Sequence, residues 1–529
     1  MTLLTSIDHA KQFMEVGRDI PTLLASWVSR TPDKPFLIWE PFSGHSKTWT
    51  YQTFSDDVNS LASSLSKRGV KQGDAVLIHM ENSPEFLLSW FSCALLGAIA
   101  VSTNTRSVAR DMTYFSDHAE VVCALTQPQF ATLVSQSAPN LLFLAVTDNN
   151  AGEQATTPAG IEHIPFSELL QETDPCPTRE VSPMADLGIQ FTSGTTSRPK
   201  AVLWTHANAI WGAHMNAMHF RLRQSDTTLI VLPLFHTNAQ SYSMLASLWV
   251  GGTIVLQPKF SASRFWDVSV RNQCTWVSLI PFCVKAILRQ TVPDTHAYQM
   301  WITAVQLDSV EKAVGVRTVG LWGMTETITH GIVTDPHQPS PNMSIGRASP
   351  GYDIAVRNEK GDLISPGERG RLYIRGTRGV SLFKEYYKNA EANASSFDQD
   401  GWFDTGDLVR MGEAGELYFS DRDKDMLKVG AENVAASEVE AVIMETGLVG
   451  ECAVVGQQHF MLDEVPVVFL IPREPDIEDI ESKIIDACRK NLPDFKVVRS
   501  VFIVDDFPRS TLEKIAKKEL RDRLEKITE

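Results

Sequence analysis

Helical and strand-like hydrophobic patterns alternate along most of the chain. Apolar residues at positions 58, 61, 62 and 65 have the spacing of one helix face, and Gly69 and Gly73 separate them from the apolar run 75–78. A second apolar helix and the run 98–101 repeat this unit. Such alternation predicts an α/β fold with a large, multi-subdomain α/β N-terminal region.

Three changes in pattern predict the domain organisation. Residues 148–184 are polar and rich in Pro and Thr, which indicates a surface connection, and short strand patterns separated by Gly and Pro predict a small β-rich subdomain over 346–418. Six polar residues, 420–425, then separate two apolar strands. We interpret 1–420 as an N-terminal nucleotide- and acyl-binding domain, 421–424 as a hinge, and 425–529 as a small, mobile α+β lid. A charged surface turn inside one domain is the alternative interpretation of 420–425.

Composition and charge narrow the function classes. The 529 residues are 43% hydrophobic and 21% charged, which is ordinary for a globular protein, and 64 acidic against 48 basic residues give a net charge of −16. That charge argues against nucleic acid as a partner. The most apolar stretch, 86–101, is interrupted by Ser and Gly and is too short for an integral membrane segment.

Cysteine usage and the N-terminus favour a cytoplasmic protein. The seven cysteines are scattered and include no C-x-x-C pair, so we expect free thiols in a reducing compartment. The first residues show neither a basic region nor a long apolar segment, and we predict no signal peptide. A homo-oligomer is compatible with these patterns, and the oligomeric state stays open.

The segment 191–200 is the most informative in the chain. It reads Phe-Thr-Ser-Gly-Thr-Thr-Ser-Arg-Pro-Lys, so hydroxyl groups, backbone amides and one lysine combine into a cradle for phosphate oxygens. The Walker pattern G-x-x-x-x-G-K-[ST] is absent. Composition alone would equally suit a solvated loop, but the ordered string that ends in Pro-Lys is far more specific.

Three further segments carry candidate chemistry. Residues 321–327 read Leu-Trp-Gly-Met-Thr-Glu-Thr, and one carboxylate next to substrate phosphates is a normal magnesium site. Residues 400–408 read Asp-Gly-Trp-Phe-Asp-Thr-Gly-Asp-Leu, and a carboxylate suits two ribose hydroxyls because it offers two acceptor oxygens. Residues 507–515 read Phe-Pro-Arg-Ser-Thr-Leu-Glu-Lys-Ile.

The four segments, in this order, resemble the adenylate-forming superfamily of acyl-CoA synthetases, aryl-CoA ligases, luciferases and adenylation domains. The resemblance spans about residues 20–525. Bacterial ligases that activate carnitine-like acids share the string T-S-G-T-T-S-R-P-K, and ligases for steroid side-chain acids also look similar. The resemblance implies an ATP- and Mg²⁺-dependent acid:CoA ligase, which forms an acyl-adenylate and then a thioester with coenzyme A.

The resemblance also implies a role for each matching residue. Thr325, Glu326, His236 and Lys514 are the implied catalytic residues: Thr325 contacts the α-phosphate, Glu326 holds Mg²⁺, His236 gates the acyl pocket, and Lys514 reaches the carboxylate during adenylation. The implied nucleotide- and CoA-binding residues are Thr192, Ser193, Gly194, Thr195, Thr196 and Lys200 for phosphates, Trp322 for adenine, Asp407 and Arg422 for ribose, and Gly430 for the pantetheine arm. Lys424 occupies the family's hinge position.

Several positions depart from the family pattern. Ser197, Ala201, Ala431 and Glu513 replace glycines, and the adenine loop is shortened to Ala304-Val305-Gln306-Leu307. Ser197 and Ala201 are small, so the backbone at these two positions can still approach a phosphate group.

The acid is a small molecule whose identity the motifs leave open. We expect an apolar, aromatic wall from Trp276 through 280–282 to Trp301 and His330, and therefore a bulky, branched or cyclic acid of the steroid side-chain type. A carnitine-like cation is the first alternative, because it would exploit aromatic faces. A non-catalytic nucleotide-binding regulator and a luciferase-like enzyme are further alternatives.

Overall fold

The structure, a computed structural model, covers most of the chain and divides into two units. The first unit contains Met1–Thr105, Thr113–Phe191 and Ala201–Asp421, and the second contains Arg106–Met112, Thr192–Lys200 and Arg422–Glu529. This division falls among the residues where the sequence places the hinge, and the predicted domain limits themselves stay a prediction. The described residues are 18–192, 199–422, 426–430, 432–474, 477–508, 515 and 517–528.

Fifteen α-helices are present among the described residues. They are α1 Ile20–Arg30, α2 Tyr51–Lys67, α3 Pro84–Leu96, α4 Ala109–Ala119, α5 Ala131–Ser137, α6 Phe166–Leu169, α7 His206–His219, α8 Ala246–Val250, α9 Ala262–Arg271, α10 Pro281–Ile287, α11 Asp308–Val314, α12 Ala390–Ser396, α13 Ala436–Glu445, α14 Ile480–Asn491 and α15 Lys517–Thr528. A π-helix, Asn238–Leu245, and 3₁₀ turns at Pro128–Phe130, Thr325–Thr327 and Asp494–Lys496 complete the set.

The strands are short and mostly buried. They are β1 Pro35–Trp39, β2 Lys47–Thr50, β3 Ala75–His79, β4 Ile99–Ser102, β5 Val121–Thr126, β6 Leu144–Val146, β7 Asn149–Asn150, β8 Glu153–Gln154, β9 Ile164–Pro165, β10 Asp186–Thr192, β11 Lys200–Thr205, β12 Thr227–Ile230, β13 Thr253–Leu256, β14 Trp276–Ser278, β15 Met300–Thr303, β16 Arg317–Gly323, β17 His330–Val333, β18 Arg347–Ala348, β19 Asp353–Arg357, β20 Arg369–Arg375, β21 Glu385–Tyr386, β22 Phe403–Met411, β23 Leu417–Arg422, β24 Met426–Val429, β25 Glu432–Ala435, β26 Val449–His459, β27 Asp463–Pro472 and β28 Val501–Ile503.

Two large sheets, one four-stranded sheet and the two-stranded sheet β7-β8 lie in the described part of the first unit. The nine-stranded sheet has the order β18-β17-β16-β15-β14-β12-β13-β1-β2, and the eight-stranded sheet has the order β21-β11-β10-β4-β3-β5-β6-β9. In the nine-stranded sheet β16, β15, β14, β12, β13 and β1 are parallel to one another, and in the eight-stranded sheet β10, β4, β3, β5, β6 and β9 are parallel, as helical crossovers between strands require. β17 runs antiparallel to β16. The β-rich subdomain predicted over 346–418 is confirmed as the antiparallel sheet β19-β20-β22-β23.

The local sequence explains why α2 begins where it does. The Thr50 hydroxyl accepts a hydrogen bond from the Thr53 amide, and the Thr53 hydroxyl in turn accepts one from the Thr50 amide, so both donors at the helix start are satisfied. Phe54, Val58 and Leu61 then lie on the buried face. This helix and the strand after it confirm the sequence prediction.

The second unit contains an antiparallel sheet of β25, β24, β27 and β26, with β28 parallel to β27. Its core includes Val454 and Val468 on the long hairpin β26–β27 together with Ile484 on α14. It is therefore a small α+β unit with its own core, as the sequence predicts. No helix among the described residues is long and apolar enough to cross a membrane.

Candidate active site

The adenine and ribose motifs meet in the first unit. Trp322, near the end of β16, donates a hydrogen bond from Nε1 to Oδ2 of Asp407 in β22, over 2.8 Å. Both side chains are buried, and the Asp407 amide donates to the Thr405 hydroxyl over 3.1 Å. Two segments that the sequence associates with different parts of the nucleotide are thus in direct contact.

The candidate magnesium ligand is a buried carboxylate with a tyrosine beside it. Glu326 is 4% exposed, and its Oε1 accepts a 2.8 Å hydrogen bond from the Tyr386 hydroxyl. β21 pairs antiparallel with β11, with Tyr386 opposite Val202, and this pairing places the tyrosine. Burial, and then the neighbouring Glu326 charge, raise the pKa of Tyr386, so its hydroxyl stays a proton donor.

Thr325 lies in a network of polar side chains at the start of a 3₁₀ turn. Its hydroxyl is 3.2 Å from that of Thr237, which donates to Oε1 of Gln190 over 2.8 Å. Trp204 donates from Nε1 to the Thr325 carbonyl over 2.9 Å. The carbonyl and the hydroxyl of Thr325 are therefore both engaged in fixed contacts.

The backbone just after Glu326 has an unfavourable conformation. Ile328 has φ of +64°, a value that costs a β-branched residue energy, and its side chain is fully buried. Gly212 of α7 lies against it, since a Cβ built on that glycine would be 3.1 Å from Cγ2 of Ile328. Close packing therefore holds the segment that carries Thr325 and Glu326 in this turn.

His236 lies just before the π-helix. Its amide donates to the Pro233 carbonyl over 3.0 Å, and its ring centroid is 4.7 Å from that of Phe235. From the π-helix, Gln240 donates from Nε2 to the Leu234 carbonyl over 2.7 Å. These contacts fix the segment around His236, and its role as a gate stays a prediction.

The phosphate-loop residues fall partly outside the described residues. Thr192 ends β10 and Lys200 begins β11, and the two are linked by a 3.5 Å contact from the Thr192 hydroxyl to the Lys200 carbonyl. Ser193, Gly194, Thr195, Thr196 and Ser197 lie outside the described residues.

Among the predicted residues from Arg422 onward, the structure describes Gly430 fully. Gly430 forms the turn between β24 and β25 with φ of +64°, and its amide donates to the Leu462 carbonyl over 2.7 Å. Only glycine adopts this conformation without strain. Arg422 ends β23, but its side chain lies outside the described residues, as do Lys424 and Lys514.

Comparison with known proteins identifies the family. The model of the AMP-binding enzyme family matches residues 24–387, and that of the AMP-binding enzyme C-terminal domain matches 438–514. The chain belongs to the AMP-binding enzymes. It is 32% identical over 504 residues to the crotonobetaine/carnitine–CoA ligase of Salmonella paratyphi B, covering 92% of this chain and 96% of that protein.

Solved structures agree with this assignment. A double mutant of o-succinylbenzoate CoA synthetase from Bacillus subtilis with a product analogue has a TM-score of 0.81 at 24% identity, over 96% of this chain and 99% of that one. The same synthetase in complex with ATP and magnesium has a TM-score of 0.66 at 25% identity, over 95% and 99%. This AMP-binding enzyme is therefore an AMP-forming acid–thiol ligase that uses ATP, Mg²⁺ and coenzyme A.

The residues present fit magnesium and ATP. Among the described residues no group of three His, Cys, Asp or Glu side chains could hold a metal by itself. Mg²⁺ that is bound with ATP needs only one or two carboxylates, because phosphate oxygens and water supply the other ligands. Glu326 is a suitable carboxylate, and the metal would neutralise charge on the phosphates.

The shortened adenine loop adjoins the strand that carries Trp322. A Cβ built on Gly320 of β16 would be 2.4 Å from the Gln306 amide nitrogen, so the loop backbone lies directly on the strand. Val305 packs against the hydrophobic cluster that includes Trp322. The loop thus lies beside the candidate adenine site.

The predicted acyl wall is wrong in one respect. In the parallel register, Trp276 of β14 is opposite Met300 of β15, whereas Trp301 is opposite Val277. Trp276 and Trp301 therefore point to opposite faces of the sheet. Trp301 packs with Phe265 and cannot line the same surface as Trp276.

Sequence reasoning missed the polar residues that support the site. Thr237 follows the predicted gate residue His236 but receives no role from the sequence, and neither do Tyr386 and Gln190. Each of the three nevertheless contacts a motif residue or its direct neighbour. Gln240 continues the network, because its Oε1 accepts a 3.0 Å hydrogen bond from Nε2 of Gln190. No local sequence signal marks these four residues, since only the pairing of distant strands and helices brings them together.

Proposed function

We propose that this ligase activates a carboxylic acid whose acyl group carries no charge besides the reacting carboxylate, here called an uncharged acid. It joins this acid to coenzyme A through an acyl-adenylate. The observation that carries this proposal is the charge of the elements next to Thr325. The π-helix, residues 276–281, residues 300–307 and residues 328–334 contain no Asp, Glu, Lys or Arg. An acyl group with a net charge would find no ionic partner there, and burying an unpaired charge is costly.

Histidine does not change this argument. His330, the histidine of β17, is fully buried, and burial lowers the pKa of its imidazole to about 3. The ring is therefore neutral at pH 7. A bulky or cyclic acid belongs to this uncharged class, and a steroid side-chain acid is one member of it that none of the comparisons favours.

A betaine acid is the second candidate, because the relative from Salmonella paratyphi B is a crotonobetaine/carnitine–CoA ligase. Trp276 and Tyr242 offer aromatic faces on elements that pack together, and a quaternary ammonium gains about 2 kcal/mol from such faces when it is desolvated. At 32% identity the reaction is shared, but the residues that select the acid can differ.

Pairs of acids that differ only in charge separate the two candidates. Crotonobetaine and 5,5-dimethylhex-2-enoate have the same shape, with a quaternary nitrogen in one and a carbon in the other. The same relation joins γ-butyrobetaine and 5,5-dimethylhexanoate. We expect pyrophosphate release to give a higher kcat/KM for the neutral member of each pair. Faster turnover of both betaines would contradict the proposal and support the second candidate.

Bulky probes test the size of the acyl group. Cyclohexanecarboxylate and a steroid side-chain acid should be compared with hexanoate in the same assay. The Glu326→Gln variant serves as the control for background hydrolysis of ATP.

A further inference from the structure

The π-helix Asn238–Leu245 begins at the reacting centre. Thr237, which directly precedes it, has its hydroxyl 3.2 Å from that of Thr325. Segments of π-helix are rare and occur frequently at functional sites, because they reorient side chains relative to an α-helix. The π-helix therefore starts next to a residue whose hydroxyl contacts Thr325.

Tyr242 on this helix points its hydroxyl at the motif strand. A Cβ built on Gly323 would lie 2.3 Å from the Tyr242 hydroxyl, so only a glycine at 323 allows this approach. The Tyr242 side chain is buried, with 4% of the residue exposed. The hydroxyl therefore lies against Gly323, the residue that follows Trp322 in the motif strand.

The Tyr242 hydroxyl has an unused hydrogen-bonding capacity. None of the residues that the structure describes forms a hydrogen bond with it, and burial alone raises the pKa of the phenol. It is therefore a neutral donor. A polar group without a partner in such surroundings is destabilising, and a partner on the substrate would recover this loss.

Two more polar atoms on adjoining elements lack partners. Oδ1 of Asn238, one helical turn before Tyr242, and Oγ of Ser278 in β14 are both buried without a hydrogen bond to any described residue. β14 packs against the π-helix. Because native proteins satisfy nearly all buried polar atoms, these two groups, together with the Tyr242 hydroxyl that no described residue binds, indicate a polar ligand.

We infer that Tyr242 selects acids that carry a hydroxyl or carbonyl oxygen in the acyl group, with its own hydroxyl as the hydrogen-bond partner of that oxygen. Asn238 and Ser278 add further polar contacts. The inference rests on the proposed function for the position of the acyl group, and it names the substrate class more narrowly as an uncharged oxygenated acid. A site built to bind a substrate oxygen discriminates strongly against the analogue that lacks it.

Acid pairs that differ by one oxygen test the inference. The pairs are 4-hydroxycyclohexanecarboxylate or 4-oxocyclohexanecarboxylate against cyclohexanecarboxylate, 3-hydroxyhexanoate against hexanoate, and carnitine against γ-butyrobetaine. In at least one pair we expect the wild type to prefer the oxygenated acid by roughly ten- to hundred-fold in kcat/KM of pyrophosphate release. Tyr242→Phe should bring that preference close to one while activity on the acid without oxygen is kept.

Tyr298→Phe is the matched control. The Tyr298 hydroxyl is also buried, but it is 2.6 Å from the Ser269 hydroxyl in an aromatic cluster, so its loss should leave every preference unchanged. No preference in any pair for the wild type would overturn the inference. An equal loss of kcat/KM by Tyr242→Phe on both members of the preferred pair would also overturn it, because that result indicates a structural role.

The charge pairs of the proposed function are read separately from the oxygen pairs. Faster turnover of the betaines than of their neutral isosteres would contradict the proposal of an uncharged acid. The role of Tyr242 would still stand if kcat/KM is higher for carnitine than for γ-butyrobetaine in the wild type and this difference is lost in Tyr242→Phe. If Tyr242→Phe does not fold, Asn238→Leu tests the same surface. A preference that Asn238→Leu leaves unchanged would then count against the inference.

Discussion

Trp322 and Asp407, 85 residues apart in the chain, are joined by a 2.8 Å hydrogen bond from the indole nitrogen to the carboxylate. The bond crosses from the nine-stranded sheet to the small antiparallel sheet. It orients a carboxylate beside an aromatic ring, so one nucleoside can meet both side chains at once.

Asp407→Asn tests the ribose contact that we propose for this carboxylate. The substitution keeps the shape but removes the charge and one acceptor oxygen, and we expect the KM for ATP to rise by roughly ten- to hundred-fold. Wild-type enzyme should also bind ATP more tightly than 3′-deoxy-ATP, and the variant should lose most of this difference. Titration calorimetry with both nucleotides measures it.

Trp322→Phe is the companion variant, because it keeps an aromatic ring but removes the donor to Asp407. Its effect should be smaller than that of Asp407→Asn. If Asp407→Asn discriminates between the two nucleotides as well as the wild type does, Asp407 does not bind the ribose.

Tyr386→Phe tests the support of the candidate magnesium ligand. The variant lacks the hydroxyl that donates to Glu326, so the carboxylate is held less firmly in place. We therefore expect the Mg²⁺ concentration for half-maximal activity to rise by about three- to ten-fold. Glu326→Gln should reduce kcat by about 10²–10³. Mg²⁺ titrations at saturating ATP measure both variants. An unchanged Mg²⁺ dependence in Glu326→Gln would argue against the metal role.

The sequence predicted the parts of the fold that depend on local pattern. The apolar run 75–78 corresponds to β3, the short strand patterns over 346–418 include β20, and the apolar stretch from 86 forms the buried helix α3 before strand β4. Periodicity and turn residues within a few positions determine such elements. The polar segment 148–184 also contains short strands and α6, whose few residues give too weak a pattern to predict.

The candidate site was predictable only as far as its motifs extend. Trp322 and Asp407, which the motifs single out, are in contact, but the hydroxyl of Tyr386 reaches Glu326 across 60 residues because β21 pairs with β11. The faces of Trp276 and Trp301 depend in the same way on register between strands. A shift of one residue in that register exchanges the two faces, and nothing in either strand alone fixes it.

Stability should fall as the pH falls from 6.5 toward 3 because of buried histidines. Burial lowers the pKa of His79, His206 and His330 to about 3, from an ordinary value of 6.5. Below pH 6.5 the unfolded chain binds these protons and the folded chain does not, so each histidine removes roughly 1.4 kcal/mol of unfolding free energy per pH unit in this window. Above pH 6.5 the contribution is constant.

His79→Gln isolates one of these contributions. Urea unfolding of wild type and variant should be measured at pH 7.5, 6.5, 5.5 and 4.5. Below pH 6.5 the free energy of unfolding should fall less steeply for the variant, by roughly 1.4 kcal/mol per pH unit, the slope that one proton contributes. His163→Gln, at an exposed histidine, is the control and should follow the wild type. Equal pH slopes for all three proteins would contradict the assignment of His79 as a neutral buried group.

Gly430→Ala tests the proposed passage of the pantetheine arm in thioester formation. An alanine at position 430 would be strained at φ of +64°, and its methyl group would lie 3.4 Å from Cδ2 of Leu462. This is the turn that the pantetheine arm is proposed to pass. We expect thioester formation from preformed acyl-adenylate and coenzyme A to slow by roughly ten-fold, with adenylate formation nearly unchanged. Gly447→Ala carries a similar strain at φ of +70° in open space, and it should slow neither half-reaction.

Lys514→Ala should have the opposite effect on the two half-reactions. The resemblance assigns Lys514 to adenylation, where a fixed positive charge stabilises the negative charge that develops between the carboxylate and the α-phosphate. Loss of one such group costs about 10²–10³ in rate. Single-turnover mixing of acid and ATP should show this loss, whereas the reaction of preformed acyl-adenylate with coenzyme A should stay near the wild-type rate. Lys490→Ala, at an exposed lysine of α14, controls for a general loss of positive charge. Equal losses in both half-reactions for Lys514→Ala would show that this lysine does not act in adenylation alone, and the division of labour between Lys514 and Gly430 would then be wrong.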